Sequence, residues 1–206
     1  PLGSFGALAA LSFHETKNIV AGEGGALLVN DPGLAARAEI VWEKGTDRAA
    51  FHRGEVARYS WVDLGSSFLP GELTAAFLLA QLEVGAAATA RRRAAWRRYH
   101  ALLAPLEGPR LRRPRVPQEC AHNGHIYHVL LRDGAARAAA QAGLAARGIA
   151  AVGHYVPLHG SPAGRRHGRT PRPLPVTEDA AARLLRLPLH GRITAGEQAR
   201  VTAALG

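Results

Sequence analysis

A chain of 206 residues, 47% of them hydrophobic, has enough core-forming content for one large or two small domains, which excludes a disordered chain. Its single cysteine, Cys120, excludes an internal disulfide and fits a reducing compartment. A net charge of +10 raises nucleic-acid binding as a function class. However, 24 of the 26 basic residues are Arg, with only Lys17 and Lys44 as lysines, a bias in amino-acid usage rather than a basic binding patch.

In chain order, Pro1-Leu2-Gly3-Ser4-Phe5 lacks the basic and apolar regions of a signal peptide. No run of about 18 uncharged apolar residues exists to span a membrane. The expectation is a soluble cytoplasmic protein. Residues 8–13 read as a short buried strand entering the polar turn His14-Glu15-Thr16-Lys17-Asn18. Gly22-Glu23-Gly24-Gly25 then leads into a second apolar strand over 26–29. Asp31 and Pro32 suit the cap and first position of a helix that Gly45 would end. That assignment puts Lys44 in a last turn, where a cation meets the negative end of the helix dipole.

Residues 46–68 are polar and aromatic without periodicity and read as a long functional loop. From about 70 to 106 the pattern is helical, with an early stripe of Leu73, Phe77 and Ala80 and a later one of Trp96, Tyr99 and Leu103. Gly85 marks a bend between them. Strands are expected over 126–131, 151–156 and 185–189. Helices are expected over 135–147, over 178–185 with Thr177 as cap, and over 195–205. The last of these opens on the capping-box spacing of Thr194 and Glu197. Alternating strands and helices predict an α/β fold.

The chemistry concentrates at Lys17. A lysine at the end of a buried strand, before a Gly-rich turn, can project an amine into a cleft and attack a carbonyl, which an Arg cannot do. Ser12, five residues earlier, offers a hydroxyl to a phosphate. On residue types alone, a solvated loop lysine remains the competing reading. His122, His125 and His128 are spaced by three, which on a strand alternates faces. No second cysteine or carboxylate cluster completes a tetrahedral site, so no metal is expected. Arg91-Arg92-Arg93 with Arg97-Arg98 reads as a solvated helix face.

The run Ser12-Phe13-His14-Glu15-Thr16-Lys17-Asn18 with Gly22-Glu23-Gly24-Gly25-Ala26 resembles the cofactor-lysine segment of the DegT-type nucleotide-sugar aminotransferases. The likeness continues through Glu43-Lys44-Gly45-Thr46-Asp47-Arg48, Phe51-His52-Arg53-Gly54 and 59–69. It ends in His154-Tyr155-Val156-Pro157-Leu158-His159 and Leu184-Leu185-Arg186-Leu187-Pro188-Leu189, so it covers nearly the whole chain in order. Within the family the chain resembles the branch of dTDP-4-amino-4,6-dideoxygalactose transaminases.

The resemblance implies a pyridoxal 5'-phosphate (PLP) transferase of fold type I, with a partial large domain over 1–68 and a linking helix plus small α/β domain over 69–206. It implies that Lys17 carries the cofactor and that Ser12 binds its phosphate. Ser67 stands where many relatives have an Asn that reaches the neighbouring subunit's phosphate, which implies a homodimer. His154, Tyr155 and His159 would lie near the sugar-nucleotide site. Glutamate would be the amino donor and a dTDP-4-keto-6-deoxy sugar the acceptor. The family carries further cofactor-holding residues in a preceding half that these 206 residues do not include, so the chain alone is expected to be inactive and poorly folded. A second class, a non-catalytic regulator that keeps the fold, stands beside this reading.

Overall fold

The computed structural model describes residues 1–206, which divide into two compact units, Pro1–Ala86 and Ala87–Gly206. In the first unit, β1 (Leu8–Ser12) and β2 (Gly25–Val29) form an antiparallel pair with Leu8 opposite Val29 and Ser12 opposite Gly25. Asn30 donates its side-chain amide to the Gly3 and Gly6 carbonyls (2.7 and 2.8 Å), tying the first residues to the end of β2. Asp31 caps as expected, accepting from Gly33 N at 2.9 Å, but what it caps is a 3-10 turn, Pro32–Leu34. The α-helix α1 (Ala35–Trp42) follows.

Helix α1 stops short of Lys44, which corrects the dipole assignment. Lys44 lies beyond the helix in the left-handed region, at φ 65°. The Gly45 N–H reaches back to the Ile40 carbonyl at 2.8 Å, and Ser66 N–H takes the Val41 carbonyl at 3.0 Å. The helix therefore ends in a Schellman-type turn with a lysine at the position usually given to glycine. Within the expected loop, Arg48–His52 forms a short helix, α2.

The helical stretch is two helices, α3 (Glu72–Glu83) and α4 (Gly85–Leu102), broken at Val84 beside the expected bend. Leu73, Phe77 and Ala80 do not form a buried stripe: Leu73 is 90% and Phe77 50% exposed. The whole first unit shares this trait. Its only buried positions are Glu43, Gly45, Thr46 and Gly85, while Phe5, Trp61 and Leu64 are exposed. An apolar cavity of about 660 Å³ lies between the hairpin and α1, bordered by Leu11, Leu27, Val41, Trp42 and Phe68.

The second unit holds the hydrophobic core. Its sheet runs β3 (Leu111–Arg112), β4 (Tyr127–Leu131), β5 (Leu184–Leu187), all antiparallel. Tyr127, Val129 and Leu131 alternate inward on β4, as do Leu185 and Leu187 on β5, the period of a half-buried strand. Trp96, Tyr99 and Leu103 meet them as the later stripe predicts. Tyr99 donates its hydroxyl to the Pro188 carbonyl at 3.0 Å. Trp96 stacks on His100 (centroids 4.8 Å apart, planes 16°) and packs on His122 at 4.2 Å.

Around the sheet lie α5 (Gly134–Ala145), α6 (Pro162–His167), α7 (Pro175–Arg183) and α8 (Ala195–Ala203). The capping box of Thr194 and Glu197 opens α8 as expected. Thr177 does not cap α7, which starts earlier at Pro175, a residue whose fixed φ suits a first turn. The expected strand over 151–156 contributes a single bridge, Val152 to Arg186, before the chain leaves the sheet at Gly153. The arginines of α4 are only partly a solvated face. Arg92 donates to the His125 and Leu189 carbonyls, and Arg98 to Gln198 Oε1 at 2.7 Å.

Candidate active site

Lys17 sits in the turn that joins β1 to β2, and backbone hydrogen bonds fix that turn from both sides. Phe13 N–H donates to Gly24 O (2.8 Å), Ala21 N–H to Phe13 O (2.7 Å) and Glu15 N–H to Gly22 O (2.8 Å). Lys17 N–H closes the tip onto His14 O at 2.9 Å. The lysine is half-buried and takes part in none of the chain's ion pairs. The backbone that carries its amine is thus tied into the hairpin, and no carboxylate pairs with that amine.

Ser12 is the last residue of β1, where the strand enters that turn. Its Oγ accepts from His14 N–H at 3.3 Å, so the hydroxyl hydrogen remains available for an anion. His14 is a scaffold residue. Its Nδ1 meets Thr16 Oγ1 (2.9 Å) and Thr16 N (3.1 Å), while Nε2 lies 3.5 Å from Glu23 Oε1. The residue pattern around Lys17 therefore builds a hairpin that carries an amine and a hydroxyl.

Ser67 lies elsewhere in the first unit, bridged across from Glu43. Glu43 is buried, pairs with Arg48 at 2.8 Å, and offers its carbonyl to Thr46 Oγ1 at 2.8 Å. These bonds account for the Glu43–Arg48 motif as structure: it pins the end of α1 against the segment carrying Ser67.

In the second unit His154, Tyr155 and His159 come together in a cleft of about 490 Å³, with Arg137 and Glu178 on its walls. His154 and Tyr155 pack edge to face at 5.0 Å. Burial, then the nearby Arg186 cation, pushes His154 below the usual imidazole range, so it is neutral near pH 7. His159 Nε2 lies 3.1 Å from Glu178 Oε1. Glu178 and Arg137 are additions that sequence reading missed. Glu178 has the signature only of a first-turn helix residue, and its partner is nineteen positions away. His122, His125 and His128 do not gather as a cluster, since His122 is engaged by Trp96.

A mixed α/β chain with a lysine presented on a strand-joining turn, and a separate small α/β unit with its own cleft, has the architecture of the PLP-dependent sugar aminotransferases. An aminotransferase, TlmJ, from Streptoalloteichus hindustanus superposes with a TM-score of 0.83 at 28% identity, over 99% of this chain and 52% of that one. A Streptococcus pneumoniae structure described as a sugar aminotransferase in its PLP form shares the fold at 22% identity, with a TM-score of 0.80 over 100% of this chain and 52% of that one.

The match to the DegT/DnrJ/EryC1/StrS aminotransferase family runs over residues 1–206, and the chain belongs to that family. It is 33% identical over 193 residues to dTDP-4-dehydro-2,3,6-trideoxy-D-glucose 4-aminotransferase of Saccharopolyspora spinosa, covering 91% of this chain and 49% of that protein. The chain therefore spans about half the length of the relatives it matches.

Proposed function

We propose that the protein containing this chain transfers an amino group from glutamate to a dTDP-4-keto-6-deoxy sugar with PLP as cofactor. The observation that carries the reading is the Lys17 turn, where a half-buried lysine outside any ion pair follows the Ser12 hydroxyl at the end of β1 within one hydrogen-bonded hairpin. PLP fits this pair of groups, an aldehyde meeting the amine and a phosphate meeting the hydroxyl. When bound, it supplies the electron sink that lets an amino group pass between two carbonyl carbons.

Within that scheme Lys17 Nζ would be the group that holds the cofactor and would move the proton at the donor's α-carbon. Ser12 Oγ donates to the phosphate, and Ser67 serves the phosphate of a second copy across a homodimer. His154, Tyr155 and His159 line the sugar-nucleotide site. The relative from S. spinosa, named for a dTDP-linked 4-keto sugar, supports the substrate class. Residues 1–68 would complete a large cofactor domain and 69–206 supply the linking helix and small domain. The setting proposed is the cytoplasm; no single helix is long and apolar enough to cross a membrane.

The test is borohydride reduction of the protein with PLP, followed by peptide mass spectrometry. A phosphopyridoxyl group fixed on Lys17, and lost in Lys17→Arg, is expected. Labelling elsewhere, or none in a protein that retains its fold, would favour the non-catalytic regulator.

A further inference from the structure

We propose that Glu178 is a positioning residue of the small-unit cleft, holding the His159 ring so that Nδ1 is the nitrogen presented to the bound nucleotide sugar. This rests on the nucleotide-sugar reading of that cleft. A carboxylate only accepts hydrogen bonds, so the 3.1 Å contact between Glu178 Oε1 and His159 Nε2 requires the proton on Nε2. Which nitrogen of a histidine faces a ligand is set by the bond the other one makes. With Nε2 spent on Glu178, Nδ1 is left.

The parts on either side of this contact are fixed before any ligand arrives. His159 lies in the 3-10 turn Leu158–Gly160, closed by Gly160 N–H on Pro157 O (3.0 Å) and Ser161 N–H on Leu158 O (3.1 Å). Its side chain is only 20% exposed. Glu178 stands in the first turn of α7, with its N–H on Leu174 O at 3.1 Å. Arg137 on α5 donates Nε to the Ala182 carbonyl (3.3 Å), which clamps α7 to the opposite wall of the cleft. Only the torsions of the His159 side chain remain to be chosen, and the Glu178 carboxylate chooses them. Glu178 itself is 63% exposed, so replacing it removes no core packing.

The experiment uses the full chain and dTDP-glucose as probe. Histidine-labelled ¹⁵N spectra should show His159 protonated at Nε2, with the Nδ1 resonance moving on addition of dTDP-glucose. Glu178→Ala should weaken binding roughly tenfold, the worth of one such hydrogen bond, with the circular dichroism spectrum unchanged. Glu178→Asp or Glu178→Gln, which keep an acceptor, should recover part of the loss. A His159 proton on Nδ1 in the unaltered chain, or equal binding by Glu178→Ala, overturns the positioning role. Failure of the unaltered chain to bind dTDP-glucose overturns instead the nucleotide-sugar reading, and this inference with it.

Discussion

The backbones of Gly45 and Gly65 touch so closely that neither position has room for a methyl group. A Cβ on Gly45 would overlap the Asp63 carbonyl oxygen, and one on Gly65 would overlap the Gly45 amide nitrogen. Gly45 also adopts φ 74° and accepts from Val62 N–H (2.8 Å) and Asp63 N–H (3.1 Å) through its carbonyl. Arg37 adds an ion pair to Asp63 from α1.

Gly65→Ala and Gly45→Ala should each destabilise the first unit by about 1–3 kcal/mol, the usual cost of forcing atoms into a filled space. Urea unfolding followed by the fluorescence of Trp42 and Trp61 would measure it. A Gly65→Ala midpoint equal to that of the unaltered chain would refute the contact.

Gln198 is fully buried, donating Nε2 to the Ala95 carbonyl at 2.8 Å and accepting from Arg98 at 2.7 Å. Gln198→Ala leaves the Ala95 carbonyl without that donor. The second unit should lose about 1–3 kcal/mol, the penalty for an unsatisfied buried polar group. Chemical denaturation, with Arg98→Ala for comparison, reads the difference.

Acid should weaken the second unit before its carboxylates titrate. Burial, the largest cause in each case, holds His100, His122, His128 and His154 below the ordinary imidazole value, aided by Arg113, Arg93, His154 and Arg186 respectively. Between those lowered values and about 6.5, the unfolded chain binds more protons than the folded one. Stability is therefore full above about pH 6.5 and falls as the pH drops through that window. The thermal midpoint, followed by circular dichroism, should decline from pH 7.5 to 5. A flat profile would contradict the burial of these rings.

Limited proteolysis should open the two units in a fixed order. The first buries no large apolar side chain, whereas the second buries Tyr99, Leu103, Tyr127, Val129, Leu144 and Leu185. Units lacking a packed core open at low free energy. Dilute protease acting on the chain by itself should leave a resistant fragment beginning near Ala87, identified by mass spectrometry. Survival of 1–86 over 87–206 would reverse this ranking.

Strands β4 and β5, the later aromatic stripe and the capping box of α8 are legible in the sequence because local pattern and tertiary burial agree there. The first strand was expected to be buried, yet β1 and β2 expose most of their side chains, because no layer of the first unit covers the hairpin. Leu73, Phe77 and Ala80 show where legibility stopped. Periodicity identifies an apolar face but not what covers it, and in this chain nothing in the first unit does. Lys44 was misjudged because a glycine one position later suggested a conventional end, while the left-handed turn falls on the lysine itself. At the candidate site, Lys17 and Ser12 could be named because they lie five residues apart, on a strand end and the turn that follows it. Glu178 could not, since its contact with His159 exists only after α7 packs.

Trp96 carries a consequence of a different kind. It is the second unit's sole tryptophan, and it packs against two imidazoles, His100 and His122, at 4.8 and 4.2 Å. A protonated imidazole quenches indole emission on contact, and a neutral one does so far less. The emission of Trp96 should therefore dim as those rings gain protons, while the fold still holds. The unit has an optical proton gauge built into its core, readable without any attached dye.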